Sequence, residues 1–208
     1  IAVKQYPRKV VMKKFSLILP FRERVDLFRN LVKTLQDNTK KLEDIEMLIT
    51  IDDDDRVARE YLERDKKSFG FDTTVYKVPR SAHFTKDYIN PMARAASGRW
   101  IITINDDSEF VAHNWDVDID KCMSDASSEH KDDILLGLTK DEIPRHGENP
   151  KFPHFSSFPV VGKEFVDALG YLQDERCYVW GPDHVLADLF RIFDKTRLVS
   201  LTHITIGH

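Results

Sequence analysis

Short apolar runs punctuate the first half of this chain, and each is followed by a segment whose apolar residues recur with helical spacing. The runs Phe15–Leu19, Met47–Ile51, Thr73–Val78 and Trp100–Ile104 are rich in β-branched and aromatic residues and read as strands. Ile134–Leu138 and Arg197–Leu201 extend the series. Between the early runs, Arg24–Asn38 carries Val25, Phe28, Leu31, Val32 and Leu35 on one helical face, and Val57, Ala58, Tyr61 and Leu62 form a second stripe. Asn90 before Pro91 reads as an N-cap followed by a first helical position, with Gly98 at the far end. Strand alternates with helix over the first 105 residues. This predicts an α/β fold with a mostly parallel central sheet and helices on both faces.

The second half is patterned differently. Lys140–Pro159 holds four prolines, two histidines and three phenylalanines with little periodicity, and a loop this long in a compact domain is usually functional or mobile. Helix-like patterns follow at Lys163–Leu169, stopped by Gly170, and at Pro182–Phe193. No internal repeat is present.

Composition narrows the partners. A chain of 208 residues suits one domain with a sizeable core. With 32% charged residues and a net charge of −4, it lacks the basic stripe that tracks nucleic acid. No run approaches a membrane span and no signal peptide is visible, while Cys122 and Cys177 have no motif spacing. The expectation is a soluble protein of the cytoplasm or another intracellular compartment, with reduced cysteines.

Candidate chemistry gathers where strands end. Trp100–Ile104 drives into Asn105, Asp106 and Asp107, at the strand end where open α/β sheets bind ligands. Crowded carboxylates repel one another unless a cation or a hydrogen-bond network compensates, and a hard metal ion is the usual compensator. Asn105 and Asp107, two residues apart, can face one ion, and oxygen-only ligands favour Mg2+ or Mn2+. A turn or helix cap is the simpler explanation of such acids. In Asp52-Asp53-Asp54-Asp55, Asp55 suits the cap of the following helix and Asp52 suits a hydrogen bond to a ligand at the sheet edge. Asp183, after Trp180-Gly-Pro, falls in the first turn of a helix, where it either complements the helix dipole or serves as a general base. His203 and His208 lie near the C-terminal end, and His208 after Gly207 is placed to turn back and complete a mixed metal shell. No phosphate-binding Gly-rich loop and no Gly-x-Gly-x-x-Gly follows the first strand.

In order, these pieces resemble the GT-A glycosyltransferases, most closely the family 2 type, whose small soluble members include virus-encoded ones. Phe15-Ser-Leu-Ile-Leu-Pro20-Phe-Arg resembles the family's opening strand, Ile49-Thr-Ile-Asp52-Asp53 the second strand with its uracil-binding acid, and Asn90…Ala96-x-Gly98 the helix before the metal strand. Asn105-Asp-Asp107 resembles the Asp-x-Asp element, Trp115 falls at a frequent tryptophan, and Trp180-Gly-Pro-Asp183 resembles the element that supplies the base in inverting members. Asn105, Met92 and Pro182 depart from the pattern, standing where the family has an acid, a glycine and an acid.

The resemblance implies a Rossmann-like three-layer sandwich over residues 1–208, with 1–105 as a nucleotide-binding half and 106–208 as a metal and acceptor half. It implies transfer of a sugar from a nucleotide-sugar, in the first place a UDP-sugar, to a hydroxyl acceptor such as a glycan. Pro20, Phe21, Arg22, Asp52, Arg80, Asn90 and Asp106 would bind the donor, with Lys86 as a further cation. Asp107, Asn105 and His208 would hold Mn2+ or Mg2+, Asp183 would be the base, and Trp180, Phe155 and His184 would meet the acceptor. Phe152 and Phe158 of the Lys140–Pro159 loop are further rings for an acceptor sugar or for the core.

Three other readings stay open: a sugar-phosphate nucleotidylyltransferase, a phosphohydrolase in which Asp52 and Asp107 converge from adjoining strands, and a non-catalytic nucleotide or carbohydrate-binding module. The first expects a glycine-rich basic loop, whereas Pro20-Phe-Arg-Glu-Arg24 has the arginines without the glycine. Products separate all four.

Overall fold

The structure, a computed structural model, describes residues 13–141, 155–178 and 181–207. Its main elements are β1 (Phe15–Pro20), α1 (Val25–Asn38), β2 (Ile45–Asp52), α2 (Arg56–Asp65), β3 (Asp72–Val78), α3 (Asn90–Ala95), β4 (Trp100–Thr103), β5 (Glu109–Phe110), α4 (Trp115–His130), β6 (Leu136–Asp141), β7 (Val160–Gly162), α5 (Lys163–Leu169), α6 (Pro182–Asp194) and β8 (Leu198–Gly207).

The strands form one sheet in the order β3-β2-β1-β4-β7-β6-β8-β5. β3, β2, β1 and β4 run parallel, as do β6 and β8, while β7 and β5 pair antiparallel to their neighbours. All six apolar runs of the sequence are strands. The two antiparallel strands are the ones its pattern did not signal, because two or three residues are too few to express a period.

Alternate side chains of the buried strands feed two cores. Phe15, Leu17 and Leu19 of β1 meet α1, α2 and α4 through Phe28, Leu31, Tyr61, Trp115 and Ile119. Ile18 faces the other way, towards Met92 and Ala93 of α3, Phe165 of α5 and Leu186 and Phe190 of α6. Helices therefore cover both faces, giving three layers. In α1 the predicted stripe is the buried one, and Phe28, Leu31 and Leu35 are wholly enclosed. Each contributes roughly 1.5–3 kcal/mol relative to an exposed side chain.

Three local expectations need correction. Val57 is not on the inner face of α2: the buried stripe is Ala58, Tyr61 and Leu62, and Val57 is exposed. Asn90 is not an N-cap, because a π-helical turn at Thr85–Ile89 leads directly into α3 and Asn90 already has helical dihedrals. Gly98 does not close that helix, which ends at Ala95. Its role is close approach to β1. Its N–H donates to Ser16 Oγ at 2.8 Å, and a Cβ there would sit 2.5 Å from the Ser16 backbone nitrogen.

Candidate active site

β1 has β2 on one side and β4 on the other. The chain winds outward from β1 through β2 to β3, then returns across β1 to β4, so the direction of winding reverses between β1 and β4. Open α/β sheets take their ligands at such a reversal, beyond the carboxyl ends of the strands. Here that crevice receives the loop after β1 and the acids after β4.

The loop is tightly built. The Phe21 N–H donates to the Thr50 carbonyl at 2.9 Å, and Arg24 and Val25 donate to carbonyls only two residues back. Glu23 holds a φ of +56°. A non-glycine residue there costs of order 1–3 kcal/mol and needs support. Asp55 supplies it: one carboxylate oxygen accepts from the Glu23 N–H at 2.9 Å while the other caps α2 by accepting from the Ala58 N–H at 2.9 Å. The expected cap is thus also the anchor of the β1 loop.

So held, the loop directs its two arginines to opposite sides. Arg22 turns to the end of β2, donating to Asp52 and, at 3.0 Å, to Asp54. These two carboxylates hold the Arg22 guanidinium well above its ordinary value. Asp52 is buried and also accepts from the Tyr88 hydroxyl, which in turn accepts from the Ser81 N–H at 2.8 Å. Burial, reinforced by Asp52, pushes the Tyr88 phenol up. Arg24 turns to the end of β4. Its Nε donates to Asp106 Oδ2 at 2.9 Å, its Nη2 to the other Asp106 oxygen, and its Nη1 to Asp107 Oδ2 at 3.0 Å. Asp106 is buried, and burial pushes its carboxyl up against the opposing pull of Arg24.

Asp107 is the more available acid. Its Oδ1 is enclosed yet has no hydrogen-bond partner, and no other carboxylate among the described residues has such an atom. Asn105 sits exposed in the same turn, closed by hydrogen bonds between Asn105 and Ser108. An orphaned carboxylate oxygen beside an exposed amide is a donor set that fits a hard cation. Among the described residues, no three acidic, histidine or cysteine side chains converge.

The remaining predicted residues divide. Pro20 ends β1 half-buried, and Arg80 and Lys86 are exposed. Phe21, expected at the donor, is instead a core ring stacked on Phe28 at 4.7 Å, because the loop turns its side chain under α1. Asn90, also expected at the donor, is fully buried and holds the segment before α6: its amide donates to the Gln173 carbonyl at 2.9 Å and accepts from the Leu172 and Gln173 N–H groups, each at 3.0 Å. That segment is fastened again where Thr85 Oγ1 donates to the Cys177 carbonyl at 2.6 Å and His83 stacks on Tyr178 at 4.3 Å.

Asp183 lies in the first turn of α6, half-buried, accepting from the His184 N–H at 3.0 Å. The exposed His184 ring lies 3.5 Å from the buried Phe155 ring, while Phe158 is in the core. His203 is exposed in the stretch of β8 where the ladder with β6 breaks register. Trp180, Phe152 and His208 lie outside the described residues. Cys122 and Cys177 are free thiols, and no helix among the described residues is long and apolar enough to cross a membrane.

Asp52 and Asp107 do not converge from adjoining strands, since β1 lies between β2 and β4. Tyr88, Arg24 and the second role of Asp55 had not been assigned from the sequence. The Arg-x-Arg spacing after the first strand was the available signal for Arg24, whereas nothing local marks Tyr88.

No protein-family model matches the chain, and no curated protein matches it in sequence. Solved structures match it in fold. TarS 1–349 of S. aureus, in complex with UDP, gives a TM-score of 0.66 at 14% identity, over 94% of this chain and 60% of that one. Mannosyltransferase PcManGT from Pyrobaculum calidifontis, in complex with GDP-Man and Mn2+, gives 0.63 at 11% identity, over 96% and 57%. GalNAc-T7 with UDP, GalNAc and Mn2+ gives 0.70 at 15% identity, over 95% and 43%. The chain thus spans less than two thirds of the length of each. The two stated sources, S. aureus and P. calidifontis, lend the virus-encoded comparison no support. At these identities the likeness concerns architecture, and the architecture of this chain is the GT-A fold.

Proposed function

We propose that this chain is a glycosyltransferase that moves a sugar from a nucleotide-sugar, in the first place a UDP-sugar, to a hydroxyl acceptor such as a glycan, with a divalent cation at the diphosphate. The observation that carries the reading is the crevice between β1 and β4, where the buried Asp106 and the partly exposed Asp107, with its one unpartnered oxygen, meet an arginine from the β1 loop. Such a crevice offers positive charge and free carboxylate oxygen at once, as a nucleoside diphosphate with its counter-ion needs. The fold neighbours crystallised with UDP, UDP-GlcNAc or GDP-Man support the donor class, and those crystallised with Mn2+ support the metal.

In this reading residues 1–105 contribute the nucleotide side. Asp52, pinned by Arg22 and Tyr88, presents a fixed acceptor for a base N–H, and Arg80 adds charge from the rim. Asp107 and Asn105 would hold Mn2+ or Mg2+, which when bound neutralises charge on the diphosphate leaving group. Arg24 adds a guanidinium for the phosphate oxygens. Asp183 takes the proton from the acceptor hydroxyl as the new glycosidic bond forms on an inverting course. His184, backed by Phe155, gives an acceptor sugar a ring to rest on, and Trp180 is assigned to the acceptor by the GT-A resemblance.

Two measurements test this. Incubation with UDP- and GDP-sugars and Mn2+ should release the nucleoside diphosphate, with the sugar joined to an acceptor or to water. Pyrophosphate release would favour a nucleotidylyltransferase, free phosphate a hydrolase, and no product at all a binding module. By calorimetry, UDP should bind more tightly with Mn2+ than without it, and Asp107→Ala should remove that difference. Equal, metal-independent binding in both proteins would overturn the metal assignment.

A further inference from the structure

The geometry points to Arg24 as a built-in counter-cation that holds the acid pair until a nucleoside diphosphate draws it away, which makes metal and nucleotide binding interdependent. This rests on the donor reading above and deepens it.

Three of the Arg24 guanidinium nitrogens are spent on the acids. Two engage both oxygens of Asp106, and the third engages Asp107 Oδ2. A divalent ion arriving alone meets carboxylates already engaged, and half compensated in charge, by a planar, permanently charged partner with bidentate geometry. It would have to displace that partner or settle for the remaining Asp107 oxygen. A diphosphate arriving alone would have to take Arg24 from Asp106, leaving a buried carboxylate without its counter-charge. Neither exchange is favourable by itself.

Together they balance. The ion takes the acids, the diphosphate takes the guanidinium, and each negative group keeps a positive neighbour. The exchange is sterically open, because the Arg24 side chain is 52% exposed although Asp106 beneath it is only 4% exposed. Arg24 also stands at the very start of α1, behind the Asp55-anchored turn at Glu23, so the side chain can swing while its backbone stays fixed. Arg22 is unsuited to the same role, since Asp52 and Asp54 at the end of β2 hold it on the far side of the loop.

The test measures binding of Mn2+ alone, by electron paramagnetic resonance, to the wild-type chain and to Arg24→Met and Arg24→Gln. Two neutral replacements guard against one that fails to fold, and Arg24→Lys restores the charge without the fork. Coupling between two ligands typically changes affinity by about 5–150-fold. Wild type should therefore bind Mn2+ weakly alone and about tenfold or more tightly with UDP present. Both neutral variants should bind Mn2+ alone more tightly than wild type, by about the same factor, and should lose most of the dependence on UDP. Lys should restore part of that dependence. A merely structural arginine would not make its removal increase metal affinity.

Mn2+ affinity unchanged or weakened in both neutral variants would overturn the inference. So would independent binding of Mn2+ and UDP to wild type. Failure of the donor reading is distinguishable: neither UDP nor GDP would then bind at any metal concentration, while the Mn2+-alone comparison would still report on Arg24.

Discussion

Asn90→Leu separates two roles for one residue, donor ligand or internal clamp. Leucine keeps the branched four-atom skeleton of asparagine, with bulkier methyls in place of the amide, and matches the apolar character of Ile89, Met92 and Ala93 buried nearby. What it removes is three hydrogen bonds to the backbone of Leu172 and Gln173. Each such bond is worth about 1 kcal/mol net, and each buried group left unpaired costs about 1–3 kcal/mol. Two N–H groups and one carbonyl lose their partner, so the low end of the loss is about 3 kcal/mol. For a chain of this size that lowers the Tm by about 6–12 °C.

The loss should also be local. Hydrogen exchange at the Leu172 and Gln173 amides should accelerate well beyond that of the β1 and β2 amides, because only the segment before α6 loses its fastening. That segment leads to Gly181 and Asp183, so transfer should fall while UDP affinity stays near wild type. Lost UDP affinity with unchanged exchange at Leu172 and Gln173 would refute the clamp and return Asn90 to the donor site.

Asp183→Asn keeps an oxygen for the His184 N–H but cannot take up a proton, so donor binding should persist while turnover falls by about 10²–10⁴-fold. Near-normal transfer, measured against donor hydrolysis without acceptor, would reject Asp183 as the base. Asp133 tests the pH dependence of stability: the Arg99 hydrogen bonds, with help from Ser127, hold its carboxyl below the usual carboxylate value. A depressed native pKa adds stability above the unfolded value of about 3.9 and loses it as pH falls through the native one. Asp133→Asn should thus lower the Tm at pH 7, by the equivalent of about 1–2 kcal/mol for this partly exposed pair, and the gap to wild type should begin to narrow below about pH 4 and close as the pH falls through the native value. A gap that stays constant into acid would show that the charge contributes nothing.

The parallel half of the sheet was legible because its signals are local and repeated. β1, β2 and β4 are buried apolar runs, the edge strand β3 is marked by its β-branched and aromatic residues, and α1 writes its inner face into the spacing of Phe28, Leu31 and Leu35. The antiparallel insertions were not legible. β7 consists of Val160, Val161 and Gly162, and its place between β4 and β6 is set by contacts with residues far off in sequence. Gly162 illustrates the point: a Cβ there would meet the Asp133 carbonyl oxygen at 1.6 Å, a constraint no neighbouring residue announces.

The same distinction governs the site. Acids at strand ends can be read from sequence, since strand position fixes them at the sheet edge. What each acid is bonded to cannot, since that depends on which strands become neighbours. β1 lies between β2 and β4, and this alone lets one short loop, Phe21 to Arg24, send Arg22 to Asp52 and Arg24 to Asp106. Had β2 adjoined β4 directly, the two acid clusters would have met and required a shared cation. As built, the loop gives each cluster its own arginine. Among the enclosed carboxylate oxygens of the described residues, only Asp107 Oδ1 is left over. The charge balance of the crevice therefore follows from strand order, and a substitution at Arg24 should alter metal binding even though every acid in the crevice is retained.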